Sequence, residues 1–289
     1  MYLLITSIAL IFLALGSYVD LKTGEIPEKI SYGFISSVLI ISAIDSIYKV
    51  DIHFFLNSLL MGIAFFMVSF VFFYLGQWGG GDVKLMGGIG CSLGYLAHVN
   101  HLAEGFFPYY LTYFINMAFI ALPYVIAYGL VLGIKNPGTR SEFRRYWGNT
   151  KTKAVLVLSI LPSILAFYLN LRPMGILYLL FPPLLISASY LKAVEMTALR
   201  RVVNVSELHE GDIPAEDLVI DNEKIISKKN IEGLSKEEVQ RIQRLALEGK
   251  IPGEIKTKEG VRLVPALFLT FISVLWVGNF MEMALASLV

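Results

Sequence analysis

Eight uncharged stretches divide this chain and constrain its fold more than any other feature: residues 1–19, 30–44, 52–81, 85–103, 105–134, 154–171, 173–191 and 263–281. Six of them approach or exceed the roughly 18 apolar residues that a bilayer-spanning helix needs. The second reaches that length only if it runs on through Asp45 to Tyr48. The fourth carries Gly87, Gly88, Gly90, Gly94 and His98, and glycines there permit helices to approach closely. With 56% of its residues hydrophobic, the chain reads as an all-α polytopic membrane protein of about six to eight transmembrane helices. The first stretch has no basic residues ahead of it and no small-residue cleavage site, so it is expected to remain as a membrane helix.

Charge is sparse and unevenly placed. A net charge of +1 gives no reason to expect a nucleic-acid partner. Among the 24 lysines and arginines, only Lys49 and Arg172 follow the second and sixth stretches. The rest, from Lys22 and Lys29 to the run between Lys192 and Arg262, follow the odd-numbered ones. Because basic residues favour the cytoplasmic side, the amino terminus is expected outside, and the ends carrying Asp20 and Asp82 inside. One cysteine, Cys91, excludes an intrachain disulfide and a thiolate zinc module. No metal or cofactor is expected.

Two polar segments interrupt the apolar pattern. The first, 135–153, is basic and holds the turn signal Asn136-Pro137-Gly138. Its Arg140, Arg144, Arg145, Lys151 and Lys153 suit anionic head groups, as orientation signal and lipid anchor, or else attract a substrate. The second begins after Leu191. It suggests a strand at 201–206, a turn at 210–214 and a further strand at 218–221, followed by the capping box Ser235–Glu238 and a helix through Leu247 with Val239, Ile242, Leu245 and Ala246 on its apolar face. The expected organisation is a membrane core over 1–192, a small cytoplasmic α+β insertion over 193–261, and a C-terminal transmembrane helix over 262–289.

The chemistry concentrates in two acids. Asp20 follows the first stretch in Tyr18-Val19-Asp20-Leu21-Lys22-Thr23-Gly24-Glu25-Ile26-Pro27, and Asp82 ends the third in Gly79-Gly80-Gly81-Asp82-Val83-Lys84-Leu85. An acid at a membrane boundary is costly and marks a functional site by default. Two carboxylates sharing a site do not both ionise easily, so one holds a proton while the other is charged. That state suits hydrolysis of a peptide bond through an activated water. Gly79, Gly80 and Gly81 allow an extended substrate backbone to pass close to the main chain. Taken alone, however, the Gly-x-Gly-Asp pattern is equally a turn between helices. Lys84 either stabilises the ionised acid or meets a lipid phosphate. His98 and His101 read as loop histidines, Asn116 as a helix–helix hydrogen bond and Trp78 as an interfacial anchor.

On Asp20-Leu21-Lys22 with Ile26-Pro27, together with Gly79 to Leu85, the chain resembles the type IV prepilin peptidases, especially the archaeal prepilin and preflagellin peptidases, within the Gly-x-Gly-Asp aspartic membrane proteases. The resemblance covers roughly residues 1–130. It implies that Asp20 and Asp82 are a catalytic dyad that removes leader peptides from prepilin- or preflagellin-type precursors on the cytoplasmic side of the cell membrane. Glycines 79–81 and Lys84 would then face the substrate. Bacterial members carry a four-cysteine zinc segment and also methylate the new amino terminus; this chain has no such cysteines, so N-methyltransferase activity is not expected. Two alternatives keep the acids but give them other work, either in a presenilin-like protease of other membrane helices or in a proton- or cation-coupled transporter.

Overall fold

The computed structural model describes residues 1–99, 105–220, 223–227 and 233–286, and its helices follow the apolar runs. Three 22-residue helices open the chain: α1 (Tyr2–Thr23), α2 (Glu28–Lys49) and α3 (His53–Tyr74). The second extends through Asp45 to Lys49, which gives it spanning length. Next come α4 (Gly80–His98), α5 (Tyr109–Lys135), α6 (Pro137–Gly148), α7 (Thr150–Tyr168), α8 (Arg172–Tyr178) and α9 (Phe181–Thr197). Among the described residues, six helical segments are long and apolar enough to cross a membrane, α8 and α9 counting as one, so the chain is a multi-pass membrane protein.

The remaining candidate span is broken. Residues 263–281, expected as one helix, form α11 (Val264–Trp276) and α12 (Phe280–Ala286), bent by 52°. The break falls where Gly278 takes φ +86. Asn116 of α5 fills it: its side-chain amide donates to the Ser273 hydroxyl at 3.0 Å and the Gly278 carbonyl at 2.7 Å, and its oxygen accepts from the Phe280 N–H at 3.0 Å. A buried asparagine thus satisfies the backbone groups that a bent membrane helix leaves without partners.

By residue contacts the chain forms two compact units, 1–124 with 260–289, and 125–259. The first is built on α4, the most enclosed of its long helices. Leu85, Met86, Ile89, Leu93, Tyr95 and Leu96 are wholly buried. Glycine makes this possible. A Cβ at Gly90 would fall 2.4 Å from the Met61 carbonyl oxygen, and one at Gly94 only 2.3 Å from that of Asn57, so α3 and α4 pack backbone against backbone. Cys91 is buried in the same contact.

In the second unit, the basic segment after α5 is a helix rather than a turn. Asn136 caps α6 by accepting the Gly138 N–H at 2.9 Å, and Pro137 takes the first helical turn, where its missing N–H costs nothing. The polar region after α9 folds much as its pattern suggests. Strands β1 (Arg200–Asn204), β2 (Ile213–Pro214) and β5 (Glu254–Lys258) form an antiparallel sheet in the order β1-β5-β2; β3 (Leu218–Ile220) pairs with β4 (Glu223–Ile226). Helix α10 (Lys236–Leu247) starts at the Ser235–Glu238 capping box and lays Val239 and Ile242 into a small apolar cluster with Val205, Leu208 and Ile251.

Candidate active site

Asp82 occupies the first turn of α4 for a local reason. Gly79 precedes the helix in extended conformation and has no side chain to cap it, so Asp82 turns back and its Oδ2 accepts the Gly79 N–H at 3.0 Å. An acid at this position also complements the positive end of the helix dipole. Gly79 and Gly80 are exposed, whereas Asp82 is buried. Gly81 is not open backbone: a Cβ there would lie 2.8 Å from both Cβ and Cδ1 of Ile26. The chain's own Ile26-Pro27 segment, leading from α1 to α2, rests on the first turn of α4.

Asp20 lies in the last turn of α1, also buried. That helix ends at Gly24, whose φ of +79 allows its N–H to return to the Asp20 carbonyl at 2.8 Å. Two contacts set the relation of α1 to α4. Gly16 faces both Leu85 Cδ1 and Val264 Cγ1, each 3.4 Å from where its Cβ would stand, while Gly81 faces Ile26. Moving from residue 16 toward 26 therefore follows α4 backwards from 85 to 81, and the helices run antiparallel. Asp20 is about one turn beyond Gly16, and Asp82 about one turn before Leu85, in the same direction. The charge of Asp20 accordingly acts on Asp82. Two acids 62 positions apart in sequence share one end of one helix junction.

A third element reaches the site without any signal in the motifs. Asp20 Oδ2 accepts the Val264 N–H at 3.1 Å, from the first residue of α11. Arg262, just ahead, places its charge on Asp20 and its guanidinium against Gly24. The one hint in the sequence was a basic residue directly before an apolar run that contains Pro265, the mark of a helix start.

The remaining polar candidates fall elsewhere. Lys84 pairs with Glu28 of α2 at 2.6 Å and lies over the Tyr32 ring, rather than bonding to Asp82. Trp78 stacks on Phe72. His98, at the other end of α4, bonds to Asp51 at 3.0 Å and Asn57 at 3.1 Å. The His53 N–H, and then His98, hold the Asp51 carboxyl below the usual carboxylate range. His101 lies outside the described residues. No group of three or more His, Cys, Asp or Glu with metal-binding geometry occurs among the described residues.

The helices define a membrane protein, and its two buried acids Asp20 and Asp82 lie toward one end of the α1–α4 junction. Residues 7–134 match the type IV leader peptidase family, and the match supports a membrane-embedded protease. A relative, the prepilin peptidase EppA of Methanothermobacter thermautotrophicus, is 22% identical over an aligned length of 372 residues, which covers 96% of this chain and 97% of the relative. No solved structure matches the chain.

Proposed function

We propose that Asp20 and Asp82 are the catalytic dyad of an aspartic endopeptidase that removes leader peptides from prepilin- or preflagellin-type precursors, acting at the cytoplasmic boundary of the membrane. The observation that carries the reading is the convergence of the two acids, from separate helices, beyond the Gly16–Leu85 contact. In this mechanism the ionised carboxylate takes a proton from water, and the oxygen attacks the scissile carbonyl. The protonated carboxyl gives its proton to the carbonyl oxygen. Collapse of the tetrahedral species breaks the C–N bond as the nitrogen takes up a proton and leaves as an amine, with no covalent enzyme intermediate. The exposed Gly79–Gly80 backbone, beside Asp82, is where an unwound substrate strand would lie. The lipid bilayer is the surrounding medium, and residues 193–261 are a cytoplasmic insertion in this arrangement.

The test is cleavage of a prepilin-type precursor by the purified full chain. Asp20→Asn and Asp82→Asn should each lower kcat by about 10³-fold or more, with insertion and thermal midpoint retained. Full activity in either variant refutes the dyad. Cleavage of embedded helices, but of no precursor with a leader outside the membrane, would reassign the substrate to other membrane helices.

A further inference from the structure

The family match ends at residue 134, yet the group that holds Asp20 comes from residue 264, 244 positions away. Helix α11 is preceded at its N-cap by Leu263, which gives no side-chain cap. Its first N–H groups are therefore orphan donors, and the Asp20 carboxylate of α1 supplies the missing acceptor. Val264 is fully buried, so this donor is not shared with water.

Arg262 is held in register with that bond. Its carbonyl accepts the Tyr124 hydroxyl of α5 at 2.6 Å. Its guanidinium lies where a Cβ at Gly24 would stand, 1.3 Å from Nη1, against the C-terminal end of α1 where cations are favoured. Gly24 thus serves twice, by its positive φ and by the space it leaves. The charged groups around Asp20 are then Asp82 from α4 and Arg262 ahead of α11; at the nearby start of α2, Glu28 is already paired with Lys84. The two acids are unequally served. Among the described residues each receives one backbone N–H, from Val264 or Gly79, and Asp20 in addition feels the charge of Arg262.

We infer that Arg262 is a positioning residue of this active site: with the Val264 N–H it orients Asp20 as the negatively charged, water-activating member of the dyad, and so leaves the shared proton to Asp82. The inference rests on the dyad reading. It also makes the start of α11, outside the matched family segment, an integral wall of the site.

The experiment compares Arg262→Gln and Arg262→Lys with the native chain in lipid vesicles, measuring kcat, KM and the pH profile of precursor cleavage. Removing the cation should lower kcat about 10- to 100-fold with KM within about 3-fold, and move the acidic limb of kcat/KM up by about one pH unit, because a neighbouring cation favours the ionised carboxyl. The lysine variant keeps the charge, so its acidic limb should stay within about 0.3 pH unit of native even where its shorter reach lowers kcat. A native profile in the glutamine variant overturns the inference. So does an equal shift in both variants. Should the glutamine variant fail to accumulate, the lysine variant decides alone: an unmoved limb supports the inference and a displaced one overturns it. Activity surviving in Asp20→Asn or Asp82→Asn would instead refute the underlying dyad, whatever Arg262 does.

Discussion

Replacing Gly81 by alanine separates a mechanical role for this glycine from a substrate-binding one. The new Cβ would lie 2.8 Å from Ile26 Cβ, 2.8 Å from its Cδ1 and 3.2 Å from its Cγ1. Ordinary carbon contacts begin near 3.5 Å, so the Ile26-Pro27 segment or the first turn of α4 must move by about 0.7 Å or more. Overpacking of this kind costs about 1–3 kcal/mol, offset by about 1 kcal/mol of helix propensity gained by alanine over glycine. Net destabilisation should be about 0–2 kcal/mol, a small shift in thermal midpoint. Activity is more sensitive: displacing a catalytic group by about 1 Å costs about 100-fold, and Asp82 is the next residue. Rate and stability should therefore part, with kcat for precursor cleavage in vesicles falling far more than the midpoint. Rescue supplies the sharper test. Ile26→Ala in the Gly81→Ala background removes the Cδ1 and Cγ1 contacts but leaves the Cβ contact, so it should restore activity in part; Ile26→Gly removes all three and should restore more. If neither change rescues the variant, or if Gly81→Ala cleaves at the native rate, crowding by Ile26 is not what keeps residue 81 a glycine.

Two further outcomes follow from the fold. Asn116→Ala removes three hydrogen bonds at the α11–α12 break and strands the Gly278 carbonyl and the Phe280 N–H; a loss of about 1–3 kcal/mol is expected, read as a lower unfolding midpoint in detergent, and an unchanged midpoint would deny the asparagine its structural role. Orientation is open to chemical labelling because the one native cysteine is only 2% exposed. In sealed cells a membrane-impermeant maleimide should modify Val50→Cys, between α2 and α3, but reach Gln77→Cys, between α3 and α4, only after permeabilisation; the reverse pattern would put the acids outside.

What the sequence disclosed, and what it hid, divides by distance along the chain. Short-range rules were sufficient for α10, where the Ser235–Glu238 box and the apolar positions sit within one helix, and for the glycines of α4, whose closeness to α3 follows from small side chains in an apolar run. Local signals misled where one motif serves two structures. Asn136-Pro137-Gly138 has the composition of a turn, yet asparagine before proline is also a helix start, and α6 begins there. The uncharged run 263–281 held no warning of a bend, because Gly278 and Asn279 are neutral and the partner that permits the break, Asn116, lies on another helix. The two acids were visible as a pair only because both close apolar runs. The third participant, the Val264 N–H, is a backbone group with no residue type to announce it.

The bond between Asp20 and Val264 also has a consequence in time. Ribosomes add about 5–20 residues per second, so the 244 positions between donor and acceptor represent about 10–50 s of synthesis. Throughout that interval α1 holds a carboxylate whose permanent hydrogen-bond donor has not yet been made. A nascent chain must keep Asp20 hydrated, or let it bond to something temporary, until α11 arrives. The matched segment, which ends at residue 134, thus waits on this hydrogen bond for much of translation, and a chain truncated before residue 264 would present Asp20 without the N–H that bonds it.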